Sequence, residues 1–124
     1  MVTFEDGPAK GAILHLSRDP MMLRVVISDK GVIDALDQLD DSARDGERIY
    51  VYMMIGEPGF FRAWTRGCAS KTGVIAKYRL LPGQPCDDRI RTNIEWSKWC
   101  ELHRETLLKE KAEWDGAFQA RSES

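Results

Sequence analysis

The sequence holds little of the chemistry from which metal sites, disulfide frameworks and most active sites are built. Three of its 124 residues are cysteines and two are histidines. Cys68, Cys86 and Cys100 are odd in number and widely spaced, which disfavours a disulfide framework or a CxxC-type zinc site. His15 and His103 lack a third ligand at metal-binding spacing. Because no acid–base pair or nucleophile is marked, we predict a protein that is not an enzyme and holds neither metal nor cofactor.

Long hydrophobic runs are also missing from the chain. No segment approaches the roughly 20 apolar residues that span a bilayer, and residues 1–6 lack the basic and apolar regions of a signal peptide. We therefore expect a cytoplasmic protein with reduced thiols and no membrane contact. The length fits one domain, 1–124, and the net charge of −2 argues against a global affinity for nucleic acid.

Acidic residues are absent from residues 58–86, and a basic and aromatic stretch occupies the same part of the chain. Aromatic rings alternate there with guanidinium groups, a mixture found at protein interfaces and in sites that stack a base and pair a phosphate. Three interpretations stay open: an edge that only closes the sheet, a protein interface, and a nucleotide or nucleic-acid site. The predicted partner- or ligand-binding residues are Phe60, Phe61, Arg62, Trp64, Arg66 and Lys71.

Residues 47–55 (ERIYVYMMI) contain the longest apolar run and predict the central strand of a sheet. The run is rich in β-branched and aromatic residues, and Gly46 and Gly56 flank it. Alternate residues of a strand face opposite sides, and both sides of this one are apolar. We therefore expect a helix to cover at least one side of the strand.

The remaining segments predict an α+β domain. Strand patterns surround the central run at residues 2–6, 12–16, 22–28, 60–65 and 73–81, with Arg24 as the odd polar residue of its strand. Residues 32–39 have the spacing of a short helix. The predicted fold is a mostly antiparallel sheet of about five strands within residues 1–82, with one long C-terminal helix, 87–121, packed across it.

That helix is predicted to outgrow the sheet. Asp87 and Asp88 suit its N-terminus, and over thirty residues at 1.5 Å each give roughly 45 Å. An aromatic stripe that the sheet leaves uncovered would mark an interface. We predict self-association, most simply a homodimer, through Leu107, Trp114 and Phe118. The alternative is a bent helix that returns Trp114 to the core of its own chain.

Several short motifs resemble small uncharacterised proteins of bacteriophages and their actinobacterial hosts. They are residues 4–8 (FEDGP) with Gly11, Leu14 and Arg18, then 23–26 (LRVV), 34–37 (DALD) and 47–52 (ERIYVY). The resemblance covers most of the chain. It implies a phage-type accessory protein that binds and modulates a bacterial host or defence protein, without assigned catalytic residues.

The expected function is therefore non-enzymatic binding of a bacterial protein. The alternative is a small-ligand module that holds a nucleotide or oligonucleotide with Arg62, Trp64, Arg66 and Lys71. An enzyme with an unmarked active site is the weakest of the three hypotheses.

Overall fold

The computed structural model describes residues 1–16, 20–36, 43–63, 71–81 and 88–123, with the side chains of these residues other than 57, 58, 60–63, 71–73, 88 and 117–123. In chain order its strands are β1 (Val2–Phe4), β2 (Ile13–Leu14), β3 (Met22–Ile27), β4 (Ile33–Leu36), β5 (Arg48–Ala63) and β6 (Lys71–Leu80). A 3-10 turn, Asp88–Ile90, leads into helix α1 (Asn93–Leu102), and helix α2 (Arg104–Glu123) follows.

The strands form one mixed, nearly barrel-shaped sheet in the order β2–β1–β6–β5–β3–β4. Each pairing is antiparallel except that of β1 with β6, which is parallel. The predicted α+β class is confirmed, but the sheet has six described strands and not five. In the parallel pair, Val2 lies beside Ala76 and Phe4 beside Tyr78, and the Met1 ammonium group donates to the Val74 carbonyl at 2.9 Å.

Strand β5 is central to the sheet, as its apolar run predicted. It pairs with β3 along one edge and with β6 along the other. It continues to Ala63, so residues 60–63 of the short strand predicted at 60–65 belong to the second half of β5, and residues 64 and 65 lie outside the described residues. Its ladder with β6 is irregular between Ile55 and Gly59, where the register shifts.

The helical spacing of residues 32–39 was misleading where the structure describes them, because residues 33–36 form β4 and pair with β3. Residues 37–39 lie outside the described residues. A tight turn brings these strands together. Ser28 Oγ accepts the amide protons of Lys30 at 3.3 Å and of Val32 at 3.1 Å, and the Ser28 amide donates to the Val32 carbonyl at 3.0 Å. These long-range and turn contacts outweigh the weak local helical pattern.

The two faces of the sheet carry separate cores. The face that the helices cover contains β5 residues together with residues from both helices, namely Ile49, Val51, Met53, Ile55, Trp99, Leu107 and Trp114. The opposite, concave face contains Val2, Phe4, Leu23, Val25, Tyr52, Ala76 and Tyr78. The loop between β1 and β2 covers part of this second core. There the amide of the fully buried Ala9 donates to Tyr52 Oη at 3.0 Å, and Tyr52 Oη donates to the Asp6 carbonyl at 2.9 Å.

The single long helix of the prediction is two helices with an irregular residue, His103, between them. His103 has φ −102° and ψ 7°, although its amide still donates to the Trp99 carbonyl and its carbonyl accepts from the Leu107 amide. The N-cap is Thr92 and not Asp87 or Asp88, because Thr92 and Glu95 form a capping box. No helix in the described ranges is long and apolar enough to cross a membrane.

The described part of the distal helix matches the alternative of a bent helix that returns Trp114 to the core of its own chain. Leu107 is 4% exposed and Trp114 is 8% exposed, and both belong to the core between helices and sheet. Helix α2 is attached to β5 by polar contacts as well. Lys111 Nζ donates to the Met54 carbonyl at 3.2 Å, and Asp115 Oδ1 accepts the Gly56 amide proton at 2.7 Å. The side chain of Phe118 lies outside the described set.

Candidate functional site

The predicted basic and aromatic surface falls at the far end of the β5–β6 ladder. Arg62 pairs with Thr72, and Ala63 pairs with Lys71, so the backbone brings Arg62 and Lys71 to adjacent strands. The backbone of Phe60 and Phe61 belongs to β5. Trp64 and Arg66 lie outside the described residues, as do the side chains of the other four predicted contact residues.

A cleft opens on the helix-covered side of the sheet, where the start of β3 faces the junction of α1 and α2. Its volume is about 390 Å³, which lies within the range of ligand and side-chain pockets. Apolar, aromatic and sulfur-containing side chains form most of its wall. The lining residues, which define the helix cleft, are Met21, Met22, Trp96, Cys100, Glu101, Arg104 and Leu107.

Arg24, next to the helix cleft, ties β3 to the segment that precedes α1. It lies on the same face of β3 as Met22 and is 1% exposed. Its Nη1 donates to the Ile90 carbonyl at 2.8 Å and to the Thr92 carbonyl at 3.3 Å, and its Nη2 donates to Asn93 Oδ1. Because these hydrogen bonds give the buried guanidinium group backbone and side-chain acceptors, the arginine that interrupts the apolar strand pattern has a structural role.

A row of rings along α1 stiffens the same wall. Arg24 Cζ lies 5.3 Å from the centroid of the Trp96 ring, a cation–π distance. The Trp96 and Trp99 rings stack with centroids 5.4 Å apart and an interplanar angle of 15°. The Trp99 and His103 rings follow at 4.6 Å. This chain of contacts holds Trp96 in place, so the cleft has a preformed aromatic side.

Cys100 supplies the one described thiol in the cleft, and its environment makes it a weak nucleophile. Burial raises the pKa of the Cys100 thiol to about 11, and the opposing effect of the nearby Arg24 charge is smaller. A thiol with such a pKa is protonated near neutral pH, whereas thiolate catalysis needs a lowered pKa. Within the described residues, no group of three or more histidine, cysteine, aspartate or glutamate side chains could hold a metal ion.

Two charged side chains of opposite sign stand at the rim of the cleft. Glu101 lies in the last turn of α1 and Arg104 begins α2, one on each side of His103, and both are exposed. Neither forms an ion pair or a side-chain hydrogen bond with the described part of the chain. An apolar floor with a charged, exposed rim is the arrangement that interface pockets use to bury one anchoring side chain.

Sequence reasoning found part of this site without identifying it. Trp96, Cys100 and Leu107 recur at helical spacing in the C-terminal segment, but such spacing alone does not distinguish a site from ordinary core packing. Met21 and Met22 carry no signal of a site, because a methionine pair before a strand is ordinary. Only the packing of β3 against the α1–α2 junction brings the helix residues and the two methionines together.

Comparison of the chain with protein-family models, with curated proteins and with solved structures finds no match in any of the three. The likeness to phage accessory proteins therefore stays a prediction. The case for function depends on the geometry of the chain itself.

Proposed function

We propose that the protein is a non-enzymatic binding protein, an accessory factor of phage type that binds and modulates a bacterial protein. In this proposal the helix cleft receives an apolar side chain of the partner. The observation that carries it is the cleft wall of Met21, Met22, Trp96 and Leu107 beneath two rim charges that have no partner among the described residues.

The chemistry of the lining supports binding over catalysis. Methionine side chains adapt to irregular apolar surfaces, and tryptophan and arginine are enriched at the energetic centres of protein interfaces. The Cys100 thiol has a raised pKa, which makes it a poor nucleophile. Glu101 and Arg104 supply one charge of each sign, which favours a partner that presents a cation and an anion beside its apolar anchor.

A binding assay with matched variants tests the cleft. The tagged protein is incubated with a bacterial lysate, and the bound fraction is analysed for both protein and nucleotide. Affinity for the captured partner is then measured with the double variant Glu101→Lys, Arg104→Glu. We expect a loss of about tenfold or more, because both rim charges would repel their counterparts.

The control is Lys98→Glu, Glu105→Lys, which exchanges charges on the same two helices at exposed positions outside the cleft. Neither double variant changes the net charge, so a general electrostatic effect would act on both. Full binding by the Glu101, Arg104 variant would place the partner surface elsewhere. A bound fraction that holds only nucleotide would contradict the protein-binding proposal.

The second candidate function is binding of a nucleotide or oligonucleotide by the basic and aromatic stretch. The β5–β6 register places Arg62 and Lys71 at one end of the sheet but one register position apart, and therefore on opposite faces. The support for this candidate is thus the basic and aromatic composition of residues 60–71. Salt dependence separates the two functions. Three phosphate contacts would reduce the affinity for a single strand by about twentyfold between about 50 and 200 mM salt. Charge reversal of Arg62 and Arg66 would remove most of that dependence, whereas the exchange of Glu101 and Arg104 would not.

A further inference from the structure

A separate cavity of about 580 Å³ opens at the end of the sheet where β3 turns into β4. Three adjacent strands meet there, because Ile27 pairs with Ile33 of β4 and with Arg48 of β5. The residues that line this cavity, called the mouth cavity below, are Pro8, Ile27, Ser28, Asp29, Gly31, Ile33, Gly46, Arg48 and Tyr50.

The mouth cavity lies on the concave face of the sheet, away from the helices. Arg48 and Tyr50 share a side of β5 with Tyr52, whose side chain belongs to the concave core. Tyr50 and Ile33 are half-buried against that core. The β1–β2 loop covers the neighbouring core, where Ala9 is fully buried and its amide donates to Tyr52 Oη, and Pro8 of the same loop lines the cavity. The mouths of barrel-like sheets are common places for small ligands.

Two opposite charges face this half-apolar space without partners of their own. Arg48 and Asp29 are exposed, and neither forms an ion pair or a side-chain hydrogen bond within the part of the chain that the structure describes. A guanidinium group binds a carboxylate through two parallel hydrogen bonds, and a carboxylate binds an ammonium group. The cavity therefore offers one site for each charge of a zwitterion, beside apolar surface from Ile27, Ile33 and Tyr50.

We propose that the mouth cavity binds a zwitterionic molecule of the α-amino-acid class with an apolar side chain, either free or as a dipeptide. Arg48 binds the carboxylate, Asp29 binds the ammonium group, and Tyr50 with Ile27 and Ile33 contacts the side chain. The single cation and the opposing acid disfavour polyphosphates and nucleic acids, which need several cations. The inference does not depend on the helix cleft or on a protein partner.

Calorimetric titration of the intact chain tests the ligand class. The probes are L-leucine, the dipeptide leucyl-leucine, and two leucine analogues that each lack one charge: 3-methylbutylamine without the carboxylate and 4-methylpentanoate without the ammonium group. We expect saturable binding of leucine or of the dipeptide with a Kd of about 0.1–1 mM, and binding about tenfold or more weaker for both analogues. Tighter binding of leucine would identify a free amino acid as the ligand, and tighter binding of leucyl-leucine would identify a dipeptide. ATP serves as the polyphosphate control and is expected not to bind.

Matched variants test the two charges. Arg48→Gln and Asp29→Asn should each weaken zwitterion binding by about tenfold. Arg44 and Asp45 are exposed neighbours outside the cavity, so Arg44→Gln and Asp45→Asn should leave zwitterion binding unchanged. Unaltered melting temperatures show that the surface variants fold.

Three results would overturn the proposal: no saturable binding of either zwitterion up to about 10 mM, equal affinity for 4-methylpentanoate and leucine, or unchanged binding in Arg48→Gln.

Discussion

At the scale of single residues, Gly7 shows how one missing side chain permits the concave core to close. Its φ is +71°, and a Cβ at this position would lie 2.5 Å from Tyr52 Oη and 3.1 Å from Leu80 Cβ. Tyr52 Oη is the group that receives the Ala9 amide proton and donates to the Asp6 carbonyl. A larger residue would therefore force the loop away from the sheet.

We expect Gly7→Ala to lower the free energy of unfolding by about 2–4 kcal/mol, from the left-handed backbone and from the clash with Tyr52. Gly11→Ala is the matched control, because Gly11 has φ +87° but nothing within 4 Å of a Cβ. It should cost only the backbone term of about 1 kcal/mol. Urea unfolding of both variants gives the difference. Equal losses of stability in the two variants would show that the β1–β2 loop moves without a clash at Tyr52.

Cys100 provides a residue-scale prediction about pH. The pKa of its thiol is raised by burial from 9.0 to about 11, so the folded state holds the proton more tightly than the unfolded state does. The resulting contribution to stability is fully present below about pH 9 and is lost as the pH rises from about 9 to about 11. The free energy of unfolding should therefore decrease by more across that pH interval in the parent chain than in Cys100→Ala.

The same pKa controls thiol reactivity. In a chain with Cys68→Ser and Cys86→Ser, iodoacetamide at about pH 8 should modify native Cys100 at least about tenfold more slowly than the urea-unfolded chain. The raised pKa lowers the thiolate fraction about a hundredfold, the greater nucleophilicity of a thiolate of higher pKa offsets about tenfold of that, and steric protection would slow the native reaction further. Equal rates in the native and unfolded chains would contradict the burial of this thiol.

At the scale of secondary-structure elements, helix α2 is oriented by two polar side chains as well as by its apolar face. Asp115 accepts the Gly56 amide proton at 2.7 Å and receives Lys111 Nζ at 3.2 Å, while Lys111 also donates to the Met54 carbonyl. These contacts meet β5 beside its irregular segment after Ile55, where ladder bonds to β6 are interrupted. The helix thereby satisfies backbone groups near the place where the ladder is interrupted.

We expect Asp115→Ala to lower the free energy of unfolding by about 1–3 kcal/mol, because it leaves the Gly56 amide and Lys111 without their partner. Glu113→Ala, at an exposed position of the same helix, should change stability by less than about 0.5 kcal/mol. Thermal unfolding compares the two, and hydrogen exchange at the Gly56 amide should accelerate only in Asp115→Ala. Unchanged exchange there would mean that this contact does not hold α2 on β5.

At the scale of the whole molecule, the burial of Leu107 and Trp114 changes what a test of self-association must target. Both side chains lie in the core of one chain, so charges placed there would unfold the domain rather than separate two copies. The described helices instead expose other apolar residues: Ile94 at 70%, Leu102 at 80% and Leu108 at 49%. Self-association stays a prediction, and its candidate surface on the helices is this second set.

Sedimentation equilibrium at micromolar concentration provides the measurement. We expect a dimer for the intact chain, and a monomer with an unchanged melting temperature for Leu102→Glu, Leu108→Glu, because both residues are exposed within one chain. Lys98→Ala, a neutralised charge on the exposed part of α1, should remain dimeric. A monomeric intact chain would contradict self-association. A dimer that survives the double substitution would place its interface away from these helices.

The local sequence pattern was enough to predict the features that depend on residues close together in the chain. The apolar alternation of residues 47–55 determined the central strand, since both faces of that strand are buried in separate cores. The uninterrupted C-terminal segment determined that it is helical, and the balance of elements determined the α+β class. The composition alone shows that the chain has few histidine and cysteine side chains from which a metal site could be built.

Contacts between distant parts of the chain decided the rest. β4 is a strand because it pairs with β3, and β1 pairs in parallel with β6, which is distant in the chain; neither partner is visible in local periodicity. The helix cleft and the mouth cavity also form only when separate segments meet. Burial of Arg24 likewise depends on carbonyls more than sixty residues away. A sequence pattern reports which face of an element is apolar, whereas register, partner and cavity depend on which of several compatible faces pack together.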